Sequence, residues 1–299
     1  MNRHYHELAK PYIVTDGRRF RMKDYKPKGP GRKVAAHEAK KFLKAGIKVL
    51  GELQERLYAQ DSWGVLLIFQ AMDASGKDSA IKAVMSGIDP KGCQVYSFKA
   101  PSSEELDHDF LWRTSRALPE RGRIGIFNRS YYEETLIVRV HPGILARQKL
   151  PAELVTGRIW KERFEDINAF ERYFARNGYV IRKFFLNISR AEQRRRLMAR
   201  LDRPEKNWKF ELGDLAERAK WRTYMTLYED MIRKTATPHA PWLVIPSDDK
   251  KFARTVIAAA IIDALSGLKL SFPKLDEGQK RDLGRARRLL IREAQGAKP

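Results

Sequence analysis

The stretch "LLIFQAMDASGKDSAIKAVM", residues 66–85, decides the fold. It passes from an apolar run through a short polar loop into a helix start that carries Ile81, Val84 and Met85 on one side. The run begins as "GVLLIF" at 64–69, and a short unbroken apolar segment of this kind marks a strand buried on both faces of a parallel sheet. The loop closes on Gly76-Lys77. Backbone N–H groups of Ala74, Ser75 and Gly76, set ahead of a helix N-terminus, form an anion nest, and Lys77 reaches the bound phosphate as a point charge. Two positions depart from the usual phosphate loop: Ala71 replaces the first glycine, and Asp78 replaces the Ser or Thr that commonly binds Mg²⁺. Asp73 adds a carboxylate inside the cradle, where it repels a phosphate unless a metal bridges the two. Mg²⁺ prefers hard oxygen ligands, so Asp73 is a candidate metal ligand or base. Asp78 fits a catalytic role and a simple cap on the first helical turn equally well.

Four further strands follow: "CQVYSF" (93–98), "RIGIFN" (123–128), "YVIRKFFLNI" (179–188) and "WLVIP" (242–246). Between them lie helices over 34–60, over "EELDHDFLWRTSRAL" (104–118), over 158–176, over "AEQRRRLMARL" (191–201) and over 252–265. Ser102 with Glu105 and Ser189 with Glu192 have capping-box spacing. Strand–helix alternation predicts an α/β domain whose parallel sheet is covered on both faces. Residues 1–33, including "YKPKGPGRK", are expected to form an extended basic arm, 34–267 the domain, and 268–299 a basic tail. "DRPEKNWKFELGD" (202–214) lies within a lid candidate around 195–225.

In open α/β sheets the ligand sits beyond the carboxyl ends of the strands. That rule places Asn128, Arg129, Ser130, Tyr131, Tyr132, Glu133 and Glu134, after the third strand, beside the loop. Asn128 is a poor metal ligand at the usual acidic position, so Glu133 or Glu134 is the second carboxylate, and Arg129 is suited to neutralise a transferred phosphoryl group. Lys183, Arg190, Arg194, Arg195, Arg196, Arg200, Arg203, Lys206 and Lys209 suggest a cationic groove or lid, with Trp208 and Phe210 available to stack on a base. The 299 residues include 59 Lys and Arg against 37 Asp and Glu, a formal charge of +22. A field of this size attracts a polyanion: nucleic acid, an anionic membrane or a phosphate polymer. Cys93 is the single cysteine, which excludes an internal disulfide. No segment has the apolar length of a signal peptide or a membrane span, so a soluble cytoplasmic protein is expected.

"DASGKDSAIKAVMSGIDPKGCQVYSFKAPSSEELDHDFLWR" and "GRIGIFNRSYYEETLIVRVHP" closely resemble the polyphosphate kinase 2 family, as do "YVIRKFFLNIS", "RPEKNWKF" and "DLAERAKW". The similarity spans roughly residues 30–265. It implies a P-loop kinase-like three-layer sandwich with a five-stranded parallel sheet and a helical lid. It also implies Mg²⁺-dependent, reversible phosphoryl transfer between inorganic polyphosphate and nucleotides, and assembly as a homo-oligomer. Asp73, Lys77 and Arg129 match the family's motifs; Asn128 departs from an Asp common in it, and Glu133 falls where others carry Asn. Asn-Arg-Ser with a nearby Tyr-Glu is similar to the subgroup that phosphorylates both nucleoside mono- and diphosphates, in which Asp commonly stands at Glu134.

The combined expectation has a catalytic set of Asp73, Lys77, Arg129 and Glu133, and Mg²⁺ on Asp73, Glu133 and Glu134. Polyphosphate is expected along 74–78, Arg129, Lys183, Arg194 and Lys209, and the nucleotide (AMP, ADP or ATP, or a guanine counterpart) near Asp73, Asn128, Tyr132, Glu133 and Trp208. No sequence-specific nucleic acid is expected. The rival readings are an ATP-dependent kinase of a small phosphorylated substrate and a nucleic-acid-binding P-loop protein; neither accounts for the charge as well as a phosphate polymer does.

Overall fold

The computed structural model describes residues 2–29 and 36–295. The apolar run ahead of the loop becomes β2 (Gly64–Gln70), and all seven of its residues are buried. Beside it stand β3 (Cys93–Ser97), β4 (Ile124–Asn128), β5 (Tyr179–Asn187) and β6 (Trp242–Pro246), within one or two residues of the predicted strands. These five form a parallel ladder in the order β6-β5-β2-β4-β3, so the phosphate loop leaves the central strand.

The sheet has a sixth strand, β1 (Ile13–Val14), paired antiparallel to β6 with Ile13 opposite Leu243 and Val14 opposite Trp242. It is therefore mixed and six-stranded, which corrects the expected five-stranded parallel sheet. Two residues carry no readable periodicity, and the unpaired edge of β6 supplies the reason for the pairing. The extended N-terminal arm is corrected with it. Residues 2–9 form α1 (Asn2–Ala9), which packs on α13 (Lys250–Ser266). Tyr5 and Ala9 join the core on one face of the sheet, while Val14, Phe20 and Met22 join the core on the other. Residues 30–33 of the expected arm lie outside the described residues.

On the first face α1 and α13 are joined by α2 (Ala36–Gln60) and α3 (Lys77–Val84); α8 (Ile159–Arg176) and α12 (Trp221–Thr235) cover the second. The three layers agree with the expected architecture. The predicted helix over 104–118 is broken into α4 (Ser103–Leu106), opened by a complete capping box between Ser102 and Glu105, and α5 (Trp112–Ser115). Two short helices, α6 (Ile137–Val140) and α7 (Pro142–Leu145), follow β4. The lid candidate is built from α9 (Arg190–Leu201), α10 (Pro204–Asn207) and α11 (Gly213–Ala219), and the tail carries α14 (Glu277–Ala294). Among the described residues no helix is long and apolar enough to cross a membrane.

Candidate active site

Backbone conformation shapes the loop first. Ala74 and Gly76 both have positive φ, 59° and 100°, so the chain turns twice between β2 and α3. Glycine meets the second requirement at little steric cost, whereas Ala74 holds a conformation that costs an L-residue about 1–2 kcal/mol. The carbonyls of this loop are held by side chains of α9. Gln193 Nε2 donates to the Asp73 carbonyl at 3.0 Å, and Arg196 Nη1 donates to those of Ala74 and Ser75 at 3.3 and 2.5 Å. Arg196 Nη2 reaches the Ser247 and Asp248 carbonyls at 2.5 and 3.1 Å, and its Nε donates to Glu192 at 2.7 Å. One buried guanidinium thus joins the phosphate loop, the segment after β6 and its own helix.

Lys77 opens α3 and is buried, with Nζ donating to the Ala71 carbonyl at 3.1 Å. Burial lowers its pKa, Asp73 opposes that shift, and Arg129 adds to it. Arg129 follows β4 with a φ of 65°, so a second strained residue faces the loop, and its Nη2 lies 3.5 Å from Asp73 Oδ1. Burial raises the pKa of Glu133, while Arg129 and then Lys77 act against the rise. Asn128 Nδ2 donates to Asp78 Oδ1 at 2.5 Å and to Ser97 Oγ at 3.4 Å. The two departures from the usual motif are therefore partners: an amide meets the carboxylate at 78, where an Asp at 128 would place two negative charges in contact.

A cavity of about 820 Å³ opens above the loop, lined by ten lysines and arginines against three carboxylates. Asp73, Lys77 and Arg129 line it from the strand ends, and Arg195, Arg200, Arg203, Lys206 and Lys209 contribute from the lid. Lys99 and Lys250, which are not among the cations expected from the sequence, also line it. They follow the carboxyl ends of β3 and β6, so the strand-end rule that located Arg129 applies equally to them.

The sequence profile of the family described as Polyphosphate kinase 2 (PPK2) matches residues 33–272. The chain is 49% identical over 252 residues to an ADP-polyphosphate phosphotransferase of Rhodopseudomonas palustris, covering 84% of this chain and 87% of the relative. It is 41% identical over 269 residues to an AMP/ADP-polyphosphate phosphotransferase of Meiothermus ruber, covering 89% and 96%. Its fold superposes on the crystal structure of Polyphosphate Kinase 2 from Arthrobacter aurescens TC1 with a TM-score of 0.84 at 40% identity, covering 93% of this chain and 96% of that one. The chain belongs to the polyphosphate kinase 2 family.

In this polyphosphate kinase, Asp73, Lys77, Asp78, Asn128, Arg129 and Lys209 border one cavity, and Glu133 is coupled electrostatically to Asp73, Lys77 and Arg129. Three other expectations are corrected, and two further residues lie outside the cavity lining. Lys183 is fully buried within β5, donating to Glu171 Oε2 at 2.6 Å, Tyr132 Oη at 2.9 Å and the Thr235 carbonyl at 2.8 Å, so it is not a phosphate ligand. Tyr132 is not a nucleotide contact. It is fully buried, and its hydroxyl donates to Glu171 Oε1 at 2.8 Å, as that of Tyr131 does at 2.9 Å. Glu134 is not free for a metal, because Gln148 Nε2 and Arg163 Nη1 donate to its Oε2 at 2.6 and 3.2 Å. Arg194 is exposed outside the cavity, and the residues of α9 that line it are Arg195, Arg196 and Arg200. Trp208 is 78% exposed, also outside the lining, with Lys209 Nζ 4.8 Å from its ring centre.

Proposed function

We propose that this kinase transfers the terminal phosphoryl group of inorganic polyphosphate to the terminal phosphate of AMP and of ADP, reversibly, with guanine nucleotides as further acceptors. The observation that carries the reading is the excess of cations in the cavity that the phosphate loop lines. A phosphate polymer has no base or sugar to orient it, and a groove of fixed positive charge suits it. The acceptor range follows the Asn128–Glu133 pattern and the names of the Rhodopseudomonas and Meiothermus relatives. Assembly as a homo-oligomer belongs to the same proposal and follows from the family resemblance.

Asp73 and Glu133 suit Mg²⁺ chemically: both offer hard carboxylate oxygens, Asp73 in the cavity lining and Glu133 outside that lining but within the field of Lys77 and Arg129. Among the described residues no group of three or more His, Cys, Asp or Glu side chains is placed to hold a metal. That donor set fits an ion which takes one or two carboxylates and completes its shell with water and substrate phosphate. There it would neutralise charge shared between donor and acceptor phosphates.

The remaining work falls to the chain's own residues. The acceptor's phosphate oxygen is already ionised near neutral pH, so its attack on the terminal phosphorus needs little general-base help. A new P–O bond to the nucleotide forms as the bond to the polymer breaks, and the shortened polymer leaves as the anion. Lys77 and Arg129 meet the charge on the transferred group, while Asp73 and Glu133 hold the acceptor end, so catalysis comes from positioning and charge neutralisation.

The test is a nucleotide assay with long-chain polyphosphate and Mg²⁺, offering AMP, ADP, GMP and GDP separately. Products from both AMP and ADP, only when polyphosphate is present, are expected, with Lys77→Ala folded and slower by orders of magnitude. No transfer from polyphosphate, with ATP consumed when acceptors are added, would overturn the reading.

A further inference from the structure

The helix α14 lies beyond residue 272, where the family match ends. It is closed by its own capping box: Asp276 Oδ1 accepts from Gln279 N at 2.8 Å, and Gln279 Oε1 accepts from Asp276 N at 3.0 Å. At helical spacing, Arg281, Arg285, Arg288 and Arg292 fall in one stripe, while Leu283, Ala286, Leu290 and Ala294 fall in the opposite one. All four arginines are exposed and none lines the catalytic cavity. Among the described residues the ion pair on α14 joins Lys280 to Glu277 at 2.7 Å, and the four arginines have no carboxylate partner.

We propose that this arginine stripe is an accessory docking face for the polyphosphate donor, separate from the site of transfer. The proposal rests on polyphosphate being the donor. Charge complementarity carries it: the stripe is a row of four unpaired guanidiniums in an enzyme whose donor is a linear polyanion. Guanidinium is a planar, persistently charged fork that suits phosphate oxygens. The stripe runs eleven residue steps from Arg281 to Arg292, roughly 16 Å at 1.5 Å per step, and engages several consecutive phosphates of one chain. A polymer held there is presented to the cavity at raised local concentration, whereas a donor too short to reach both places gains nothing.

The placement of charge favours this ligand over an anionic lipid surface. A helix lying on a bilayer keeps its useful cations at the borders of its apolar face, where their stems snorkel to the headgroups. Here Lys280 and Arg287 border the apolar stripe, and the four arginines stand at the pole that a bilayer-bound helix turns toward water.

The test uses the full chain and the variant R281Q/R285Q/R288Q/R292Q, which keeps good helix formers at every position. With ADP as acceptor, KM is measured for long-chain polyphosphate and for the shortest oligophosphate accepted as donor. The long-chain KM is expected to rise about tenfold and to lose part of its salt dependence, with kcat and the short-donor KM unchanged. The matching Arg→Lys variant is expected to recover part of the loss. An unchanged long-chain KM overturns the proposal, as does an equal rise for both donors. It is also overturned if the wild type pellets with phosphatidylserine vesicles in a stripe-dependent way while the long-chain KM stays the same. A wild-type enzyme inactive with polyphosphate would instead sink the underlying reading, so the two failures are distinguishable.

Discussion

At the scale of single residues, the pairing of Asn128 with Asp78 turns two apparent defects into one arrangement. An amide at 128 donates to the carboxylate at 78, and both border the cavity where phosphates are expected. Asn128→Asp replaces that hydrogen bond by two facing carboxylates; at about 2 kcal/mol for a lost charge-assisted bond, turnover should fall between tenfold and a hundredfold. Adding Asp78→Asn restores an amide–carboxylate pair with the roles exchanged, and most of the activity should return. A double variant as slow as the single one would mean that the Asn128 amide acts on substrate directly. Asp73, Lys77 and Arg129 were legible in the sequence because a loop after a strand and the end of the neighbouring strand are local features. Tyr132, Glu134 and Lys183 were not, because their partners Glu171, Gln148 and Arg163 come from other parts of the chain. A cation inside a strand does signal a buried anion; which anion is a tertiary fact.

Among the elements, α9 acts as more than a cationic lid. Gln193 and Arg196 hold three successive carbonyls of the phosphate loop, and carbonyls turned toward α9 leave the nest for N–H groups. Arg196→Lys keeps the charge but cannot reproduce a fork that bonds two backbone segments at once. We expect kcat to fall about a hundredfold, with melting lowered by a few degrees; a change in polyphosphate KM alone would mean that Arg196 contacts the donor. The second internal support is the cluster of Lys183, Glu171, Tyr131 and Tyr132, which ties β5 and α8 to the turn bearing Glu133. Lys183→Met leaves the Glu171 carboxylate buried without its cation, a loss of about 3–5 kcal/mol. The expected result is a melting temperature lower by roughly 10 °C. A normal melting temperature with a raised polyphosphate KM would return Lys183 to the phosphate site. Helical periodicity located α9 and the cap at Ser189 and set Arg196 on a different face from Arg194, but which face meets the loop is a tertiary fact: Arg196 does, and Arg194 faces solvent.

For the molecule as a whole, two basic ends that look alike in composition have different physical roles. The N-terminal segment seals the β6 edge and sends side chains into both cores, whereas α14 is exposed along its length. Composition conceals the difference, because the Pro, Gly and Lys of "YKPKGPGRK" mask a few well-spaced apolar residues that matter only against the finished sheet. Full burial of a Val, Phe or Met side chain contributes roughly 1.5–3 kcal/mol. Val14, Phe20 and Met22 together therefore contribute on the order of 6 kcal/mol, as an upper estimate, before Tyr5 and Ala9 are considered. That is comparable with the whole stability of many domains, about 5–15 kcal/mol, and deletion would also bare the β6 edge to other chains. Removing residues 1–29 should consequently give an aggregating protein without a cooperative melt. Removing residues 276–299 should leave the melting temperature within about 2 °C, since the cut falls after Leu268 and Leu270, the tail residues packed on the core. Thermal denaturation of the two truncations side by side checks this. A stable, active enzyme without residues 1–29 would show that the five parallel strands and their helices are sufficient for the fold.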